Sequence, residues 1–445
     1  MTKNKIFFII IGILVFIGLI YFAIQLGNSG TQKTGTKASP GDFQVWILED
    51  DIAGLKEFTD GFKESYPAYA SQNIVVESFS DTQAYYNSLS SAFMQGIGPD
   101  VFVLPNSESS IFENQISVID PNTISPNDFR LDFKPIFGND LIVSDSEDST
   151  IEYVKGIPLG YEALGLFYNR KYFLRPSDLT TWEDILVEIN TIKERYSDIV
   201  PIALGNGFGV TRAASIISAF LVLEGTESLV KTNTTQSRQA LSIYTAFGQK
   251  DGDNRYNIIS APFLNNTDIE FFTQGDVASM VGYPRDLLKI DDIGYQSTLL
   301  YATPFPSYSG KDNISSIKYN YFVINKDSVK QSMASELLSY MATAEGQNAF
   351  QEIYPYYLPT SVAGESEILE RKILPEYNII YKNFIDQTAT QVSFDVGDVN
   401  IYNNRLREIL DQQSGYETLF DSMKAYVVCT ATKQTTLLNL SSPCK

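Results

Sequence analysis

From Phe43 onward the chain alternates short strand-like apolar runs with amphipathic helical periods, and this rhythm limits the possible folds more than any other feature. FQVWIL (43–48), NIVVESF (73–79) and VFVL (101–104) have the composition of buried strands. Between the first two, Ile52, Leu55, Phe58, Phe62 and Tyr66 recur every three or four residues, and Pro67 stops the helix they predict. Between the second and third, Tyr85, Leu89 and Phe93 predict another helix. A β-α-β-α-β order points to a parallel sheet with right-handed crossovers.

A second α/β set follows an acidic, polar stretch from Asn139 to Glu152, which lacks the ligand spacing of a calcium loop and reads as a solvated surface loop. GLFYN (165–169) and PIAL (201–204) are strand-like. Thr181 stands where it can cap a helix, with Asp184 in the capping-box position, and Ile185, Ile189, Ile192 and Tyr196 mark that helix's buried face. Ala213–Leu223 predicts a strongly apolar helix. SMVGY (279–283) and IKYNYFVIN (317–325) are two further strands. Met333, Leu337, Met341 and Phe350 predict one long helix ending before Pro355, and more helical patterns run through Ile401, Leu406, Ile409 and Leu410, then Leu419 and Met423. Both tryptophans read as core: Trp46 lies inside the first strand and Trp182 at a helix start.

Composition excludes several functions. The chain has 445 residues, enough for one large or two medium cores, and its net charge of −20 repels phosphate backbones, so no nucleic-acid partner is expected. There is no histidine, which removes Ser-His-Asp and Cys-His nucleophile systems and the usual zinc sites. Neither a phosphate-binding Gly-Lys loop nor a nucleophile elbow occurs, so no cofactor or metal is expected.

At the N-terminus, Lys3 and Lys5 precede an apolar run from Ile6 to Leu26, matching the roughly 20 residues that span a bilayer. The run is longer than a signal-peptide core and has no good small-residue cleavage site, so it reads as an uncleaved single-span anchor with its N-terminus in the cytoplasm; a cleaved signal peptide is the other reading. Gly27 to Gly41, rich in Gly, Ser, Thr and Lys, reads as a flexible tether. The only cysteines, Cys429 and Cys444, lie in the C-terminal tail. In an oxidising compartment they suit a disulfide; two free thiols in a frayed tail is the other reading.

An ordered series of segments narrows the class further: GPDVFVLPN (98–106), GIPLGYEALGLFYNRKYF (156–173), TTWEDI (180–185), FFTQGDVASMVGYP (271–284), ATPFP (302–306) and YLPTSVA (357–363). In this order and at these distances they resemble the extracellular solute-binding proteins of ABC importers, in the group that includes the maltose-binding protein. The resemblance implies an α/β fold of two lobes with an interlobe cleft (a type II periplasmic-binding-protein-like fold), here preceded by one N-terminal transmembrane helix. It divides the chain into an anchor (1–26), a linker (27–42), lobe 1 (43–153 and 307–360), lobe 2 (154–306 and 361–428) and a tail (429–445). Crossings between lobes are expected near Val154, near ATPFP and near LPTSVA.

The same resemblance implies a ligand in the cleft, touched by side chains at strand ends. Mapped onto this sequence, the candidates are Glu49, Asp50 and Asp51 after the first strand, Asp81 and Tyr85 after the second, and Asn106 after the third. Tyr161 and Glu162 lie just past the first expected crossing, Tyr283 and Arg285 follow GDVASM, and Tyr402 lies in the last helical part. Helix capping competes for the acidic triplet, and core packing competes for each aromatic. The implied function is a membrane-anchored, monomeric, non-enzymatic binder with an extracellular ectodomain, handing a small solute to ABC permease subunits. A sugar or oligosaccharide is the expected solute, although no tryptophan stands at the later cleft positions. Other readings are a surface sensor or adhesin with the same fold, and a glycan hydrolase pairing Glu49 or Asp50 with Glu162.

Overall fold

The computed structural model describes residues 39, 41–48, 52–173, 179–205, 207, 209–225, 235–247, 267–310, 315–362, 364, 378–385 and 391–393. The first lobe opens with β1 (Phe43–Ile47), α1 (Ile52–Ser65), β2 (Ile74–Ser78), α2 (Thr82–Met94) and β3 (Val101–Pro105). A 3-10 helix (Asn106–Gln115) leads to β4 (Ile116–Ser117), then α3 (Pro126–Asp132), α4 (Pro135–Leu141), and a hairpin of β5 (Ile142–Ser144) and β6 (Glu152–Val154). The acidic stretch covers the end of α4 and most of that hairpin, and only residues 145–151 form its loop. Asp145 and Asp148 fold back on backbone N–H groups of Glu147 and Thr150, so their carboxylates serve the turn.

β7 (Ile157–Ala163) and β8 (Gly165–Asn169) follow, then α5 (Trp182–Arg195), α6 (Ala213–Leu223), α7 (Thr235–Ala246), α8 (Thr267–Gln274), β9 (Ser279–Gly282), α9 (Asp286–Asp292) and β10 (Leu300–Pro304). The described chain ends with β11 (Ser315–Asn325), α10 (Gln331–Ala342), α11 (Ala344–Ile353), α12 (Asn378–Ile385) and β12 (Gln391–Ser393).

Two main sheets result. The larger runs β12-β11-β3-β1-β2, with β4 and β7 also paired to β11. The expected parallel arrangement holds for β2-β1-β3, while β11 joins β3 and β7 antiparallel and β12 pairs parallel with it. The smaller sheet is β10-β8-β9, all antiparallel, extended by parallel bridges from Val200 to Val277 and from Ala203 to Met280. PIAL thus contributes single bridges rather than a full strand.

Aromatic contacts fill the interior of both lobes, within one contiguous cluster of buried residues. In the first, the Phe62 ring lies 5.1 Å from Tyr66, and Phe102 lies 5.3 Å from Phe93. In the second, Trp182 packs 4.9 Å from Phe220 and 5.4 Å from Phe305, as a core tryptophan should. Trp46 is equally committed, 5.4 Å from Phe79. The capping box at α5 forms in full: the Thr181 side chain accepts from Asp184 N–H, and the Asp184 side chain accepts from Thr181 N–H.

Two expectations about connectivity need correction. The crossing placed near Val154 occurs at Leu164, because β7 is zipped along β11 in the larger sheet and β8 belongs to the smaller one. The long helix through Met333 and Phe350 is two helices, broken at Thr343, whose extended backbone and side-chain oxygen cap α11 through Gly346 N–H. The apolar spacing changes there, from steps of four residues through Met333, Leu337 and Met341 to a step of nine to Phe350, which is two and a half helical turns. The return passage lies between Ser307, bridged to Thr181, and β11. YLPTSVA stays on the first lobe as far as Ser361, through bridges of Leu358 to Tyr161 and Ser361 to Phe133.

The apolar run Ile6–Leu26, most of the tether, Glu49, Asp50, Asp51, Tyr402, Cys429 and Cys444 lie outside the described residues. Among the described residues, no helix is long and apolar enough to cross a membrane.

Candidate functional site: the interlobe cleft

Where parallel strands end, their loops splay apart and leave a crevice. Here the β1–β3 ladder is confined to Val45–Val101 and Trp46–Phe102. Beyond that point the Tyr85 hydroxyl inserts between the strands. It donates to Val103 O at 2.8 Å, accepts from Val103 N–H at 3.0 Å, and lies 3.3 Å from Trp46 O. Tyr85 is therefore a core fastener beneath the crevice, fully buried, and burial pushes its phenol pKa up, so it stays neutral.

The crevice opens into a cavity of about 340 Å³ between the two sheets. Leu48, Phe79, Ser80, Thr82, Pro105, Asn106 and Ser107 form the first-lobe wall, all following β1, β2 or β3 or closing them. Lys318, Tyr319 and Asn320 of β11, Glu162 of β7 and Tyr357 form the floor. Arg212, Tyr283 and Arg285 form the second-lobe wall.

Several of these groups are fixed before any ligand arrives. Asn106 donates through Nδ2 to Ile317 O at 3.1 Å and accepts Tyr319 N–H at 3.0 Å, pinning the wall to the floor. Glu162 is 5% exposed and accepts from Arg285 Nε at 2.6 Å. Arg285 Nη2 donates to the Tyr357 hydroxyl at 2.6 Å. Arg212 is clamped by Asp286 through Nε and Nη2, and Asp286 also accepts Tyr283 N–H at 2.8 Å. Burial works against the Arg212 charge, but Asp286, Glu162 and Tyr283 outweigh it and hold its pKa above the ordinary arginine range. Tyr283, whose ring lies under that guanidinium at 5.0 Å, has its pKa raised by burial and then by the Glu162 charge. A neutral phenol, two arginines, a carboxylate, two amides and several hydroxyls thus converge on one space. Such a set suits a ligand with many hydroxyls.

Of the residues expected at the site, Asn106, Glu162, Tyr283 and Arg285 line the cleft. Asp81 instead caps α2, accepting Ala84 N–H at 2.6 Å. Tyr161 alternates with Glu162 along β7 and faces the other way, fully buried against Phe137 with Lys134 Nζ 5.5 Å from its ring. Sequence reasoning missed Arg212, Lys318, Asn320 and Tyr357. The period-2 spacing of Lys318 and Asn320 within an otherwise apolar strand was the available signal.

The family model for bacterial extracellular solute-binding protein matches residues 58–374, most of the chain and both lobes. The chain belongs to the bacterial extracellular solute-binding proteins. Among solved structures it is similar to a cyclo/maltodextrin-binding protein complexed with maltotetraose, with a TM-score of 0.65 and 13% identity, covering 91% of this chain and 99% of that one. At that identity the likeness establishes the two-lobed fold. No curated protein sequence matches the chain. Family and fold together make this a solute-binding protein of the ABC-importer type, which binds its solute without enzymatic chemistry, with the folded part outside the cell. The hydrolase reading falls with that membership.

Proposed function

We propose that this solute-binding protein captures a sugar or short oligosaccharide in the interlobe cleft, closes its lobes around it, and delivers it to ABC permease subunits as a monomer anchored by the Ile6–Leu26 segment. The observation that carries the reading is the cleft itself. Side chains at the C-terminal ends of β1, β2 and β3 face Tyr283, Arg285 and Arg212 across about 340 Å³, within the range of small-molecule sites. Phe79, Tyr283 and Tyr357 give the lining its apolar part, and the amides, hydroxyls and charged groups offer partners for hydroxyls. The neighbouring structure holds maltotetraose, which supports the same solute class here. A tether to the membrane suits delivery, because it raises the local concentration of loaded binder at the permease.

A thermal-shift panel of the purified chain with maltotetraose, other neutral and acidic oligosaccharides, peptides and metal ions tests the solute class. An oligosaccharide at 100 times its dissociation constant stabilises the fold by about 2.7 kcal/mol. A panel in which peptides shift the melt and no saccharide does would overturn the sugar reading while leaving the binder intact.

A further inference from the structure

The ladder between β7 and β11 is interrupted at the cleft floor. Asn320 stands opposite Gly160 and Tyr321 opposite Pro158, so Leu159 is an extra residue on β7. A bulge of this kind disrupts the ladder locally, bends its strand and re-aims side chains, and it is a built feature of a sheet rather than a defect. Here the extra residue, Leu159, is buried and lines a second, smaller space beside the cleft.

This notch has a volume of about 20 Å³. Asn320 and Tyr357 line both it and the cleft, so the two spaces adjoin at the cleft floor. Most of the remaining wall is apolar: Ile47 of β1, Val103 of β3, Leu159 of β7, Phe322 of β11 and Phe350 of α11. Tyr357 serves each space with a different part. Its hydroxyl accepts from Arg285 Nη2 in the cleft, and its ring lies 6.2 Å from the Phe350 ring. Gly160 makes this arrangement possible. A Cβ there would fall 2.6 Å from Tyr357 Cβ and 3.3 Å from Phe350 Cε1, so any side chain would displace two of the rings that wall the notch.

Size and lining together select the occupant. A space of roughly 10–15 Å³ already admits one water-sized group, but a buried water needs about two to four hydrogen-bonding partners, which an apolar wall does not supply. A hydroxyl placed there would be buried unpaired, at a cost. A methyl is of similar size, needs no partner and gains by leaving water.

We propose that the notch is an apolar subsite of the cleft that takes a methyl group of the solute, carried either by a deoxy sugar or by an acetamido sugar. The proposal rests on the saccharide reading above and narrows it. Leu159 and Val103 become specificity-determining residues, because they set how much apolar volume the solute can place beside Tyr357.

The test is isothermal titration calorimetry of the full-length chain in detergent with two matched pairs of saccharides. L-rhamnose is compared with L-mannose, which has a hydroxymethyl where rhamnose has a methyl. Chitotetraose is compared with cellotetraose, which has hydroxyls where chitotetraose has acetamido groups. The methyl-bearing member of one pair should bind about tenfold tighter, the usual effect of one small apolar group in a fitted pocket. The pair that shows the gap identifies the source of the methyl. V103I adds a methylene to the notch wall and should bring that affinity ratio to within about twofold of unity. I192V, a change of the same size in the buried face of α5 in the second lobe, should leave the ratio as in the parent. Each variant is first shown to keep a single cooperative melt. If V103I does not, nuclear Overhauser contacts between the solute methyl and the labelled methyls of Leu159 and Val103 in the parent decide: their presence supports the notch and their absence overturns it. A gap under about threefold in both pairs overturns the notch and leaves the saccharide reading standing. So does a gap that V103I keeps in full, since the methyl is then held elsewhere. If none of the four saccharides binds but maltotetraose does, the notch fails alone. If no saccharide binds at all, the notch and the saccharide reading fail together.

Discussion

At the scale of single residues, chemistry that suits a ligand site is repeatedly used by the fold instead. Tyr85, Asp81 and Tyr161 have the right functional groups and the right place in the chain. Tyr85 spends its hydroxyl on Val103, Asp81 spends its carboxylate on Ala84 N–H, and Tyr161 points into the first-lobe core. Residue type and strand-end position were legible; the direction of each side chain was not, because it is set by the strand's pleat and by which neighbour supplies a hydrogen-bond partner. The role assigned to Tyr85 has a measurable cost. Tyr85→Phe keeps the ring but leaves Val103 and Trp46 short of a buried partner where β1 and β3 part. Equilibrium urea unfolding of Y85F should show a loss of about 1–3 kcal/mol. A loss below about 0.5 kcal/mol would mean that the hydroxyl is not fastening the strands.

At the scale of elements, the sequence reading was most faithful where the signal is local. The β1, β2, β3 and β8 runs, α6, and the Thr181–Asp184 box occur where periodicity and capping chemistry placed them. It failed at Thr343, where the step of nine residues from Met341 to Phe350 was read as one continuous helix although it is out of phase with the steps of four before it. The break is enforced by close packing as well as by the hydroxyl, since a Cβ on Gly346 would fall 2.1 Å from Tyr340 O. Gly346→Ala should therefore destabilise by about 1–3 kcal/mol through a forced shift of α11 against α10. Thr343→Ala should cost about 1 kcal/mol through the lost cap. Thermal melts of the two variants check both numbers. A neutral G346A would show that the turn relaxes freely.

At the scale of the whole molecule, charge is the dominant global property. A chain of net charge −20 repels itself in the compact state, while the cleft contacts between Glu162 and Arg285 and between Asp286 and Arg212 are short-range and partly buried. Salt screens the first far more than the second. The melting temperature should therefore rise as sodium chloride goes from about 10 mM to about 300 mM, where the Debye length falls from roughly 30 Å to below 10 Å. A melting temperature that falls over this range would mean that attractive ion pairs outweigh the net repulsion.

The linear chain was sufficient to set many of the strands and helices, their order, and the membership that follows from that order, because those properties depend on neighbours three or four positions apart and on turn chemistry; PIAL and the break at Thr343 were exceptions. It could not set the composition of the cleft. Glu162 and Arg285 stand 123 positions apart, and Arg285 and Tyr357 stand 72 apart. They meet only because β7 zips along β11 before the chain crosses at Leu164, and because β9 delivers Arg285 to the facing lobe. Ladder register and the point of crossing are decided by packing between whole sheets, and no local pattern encodes them.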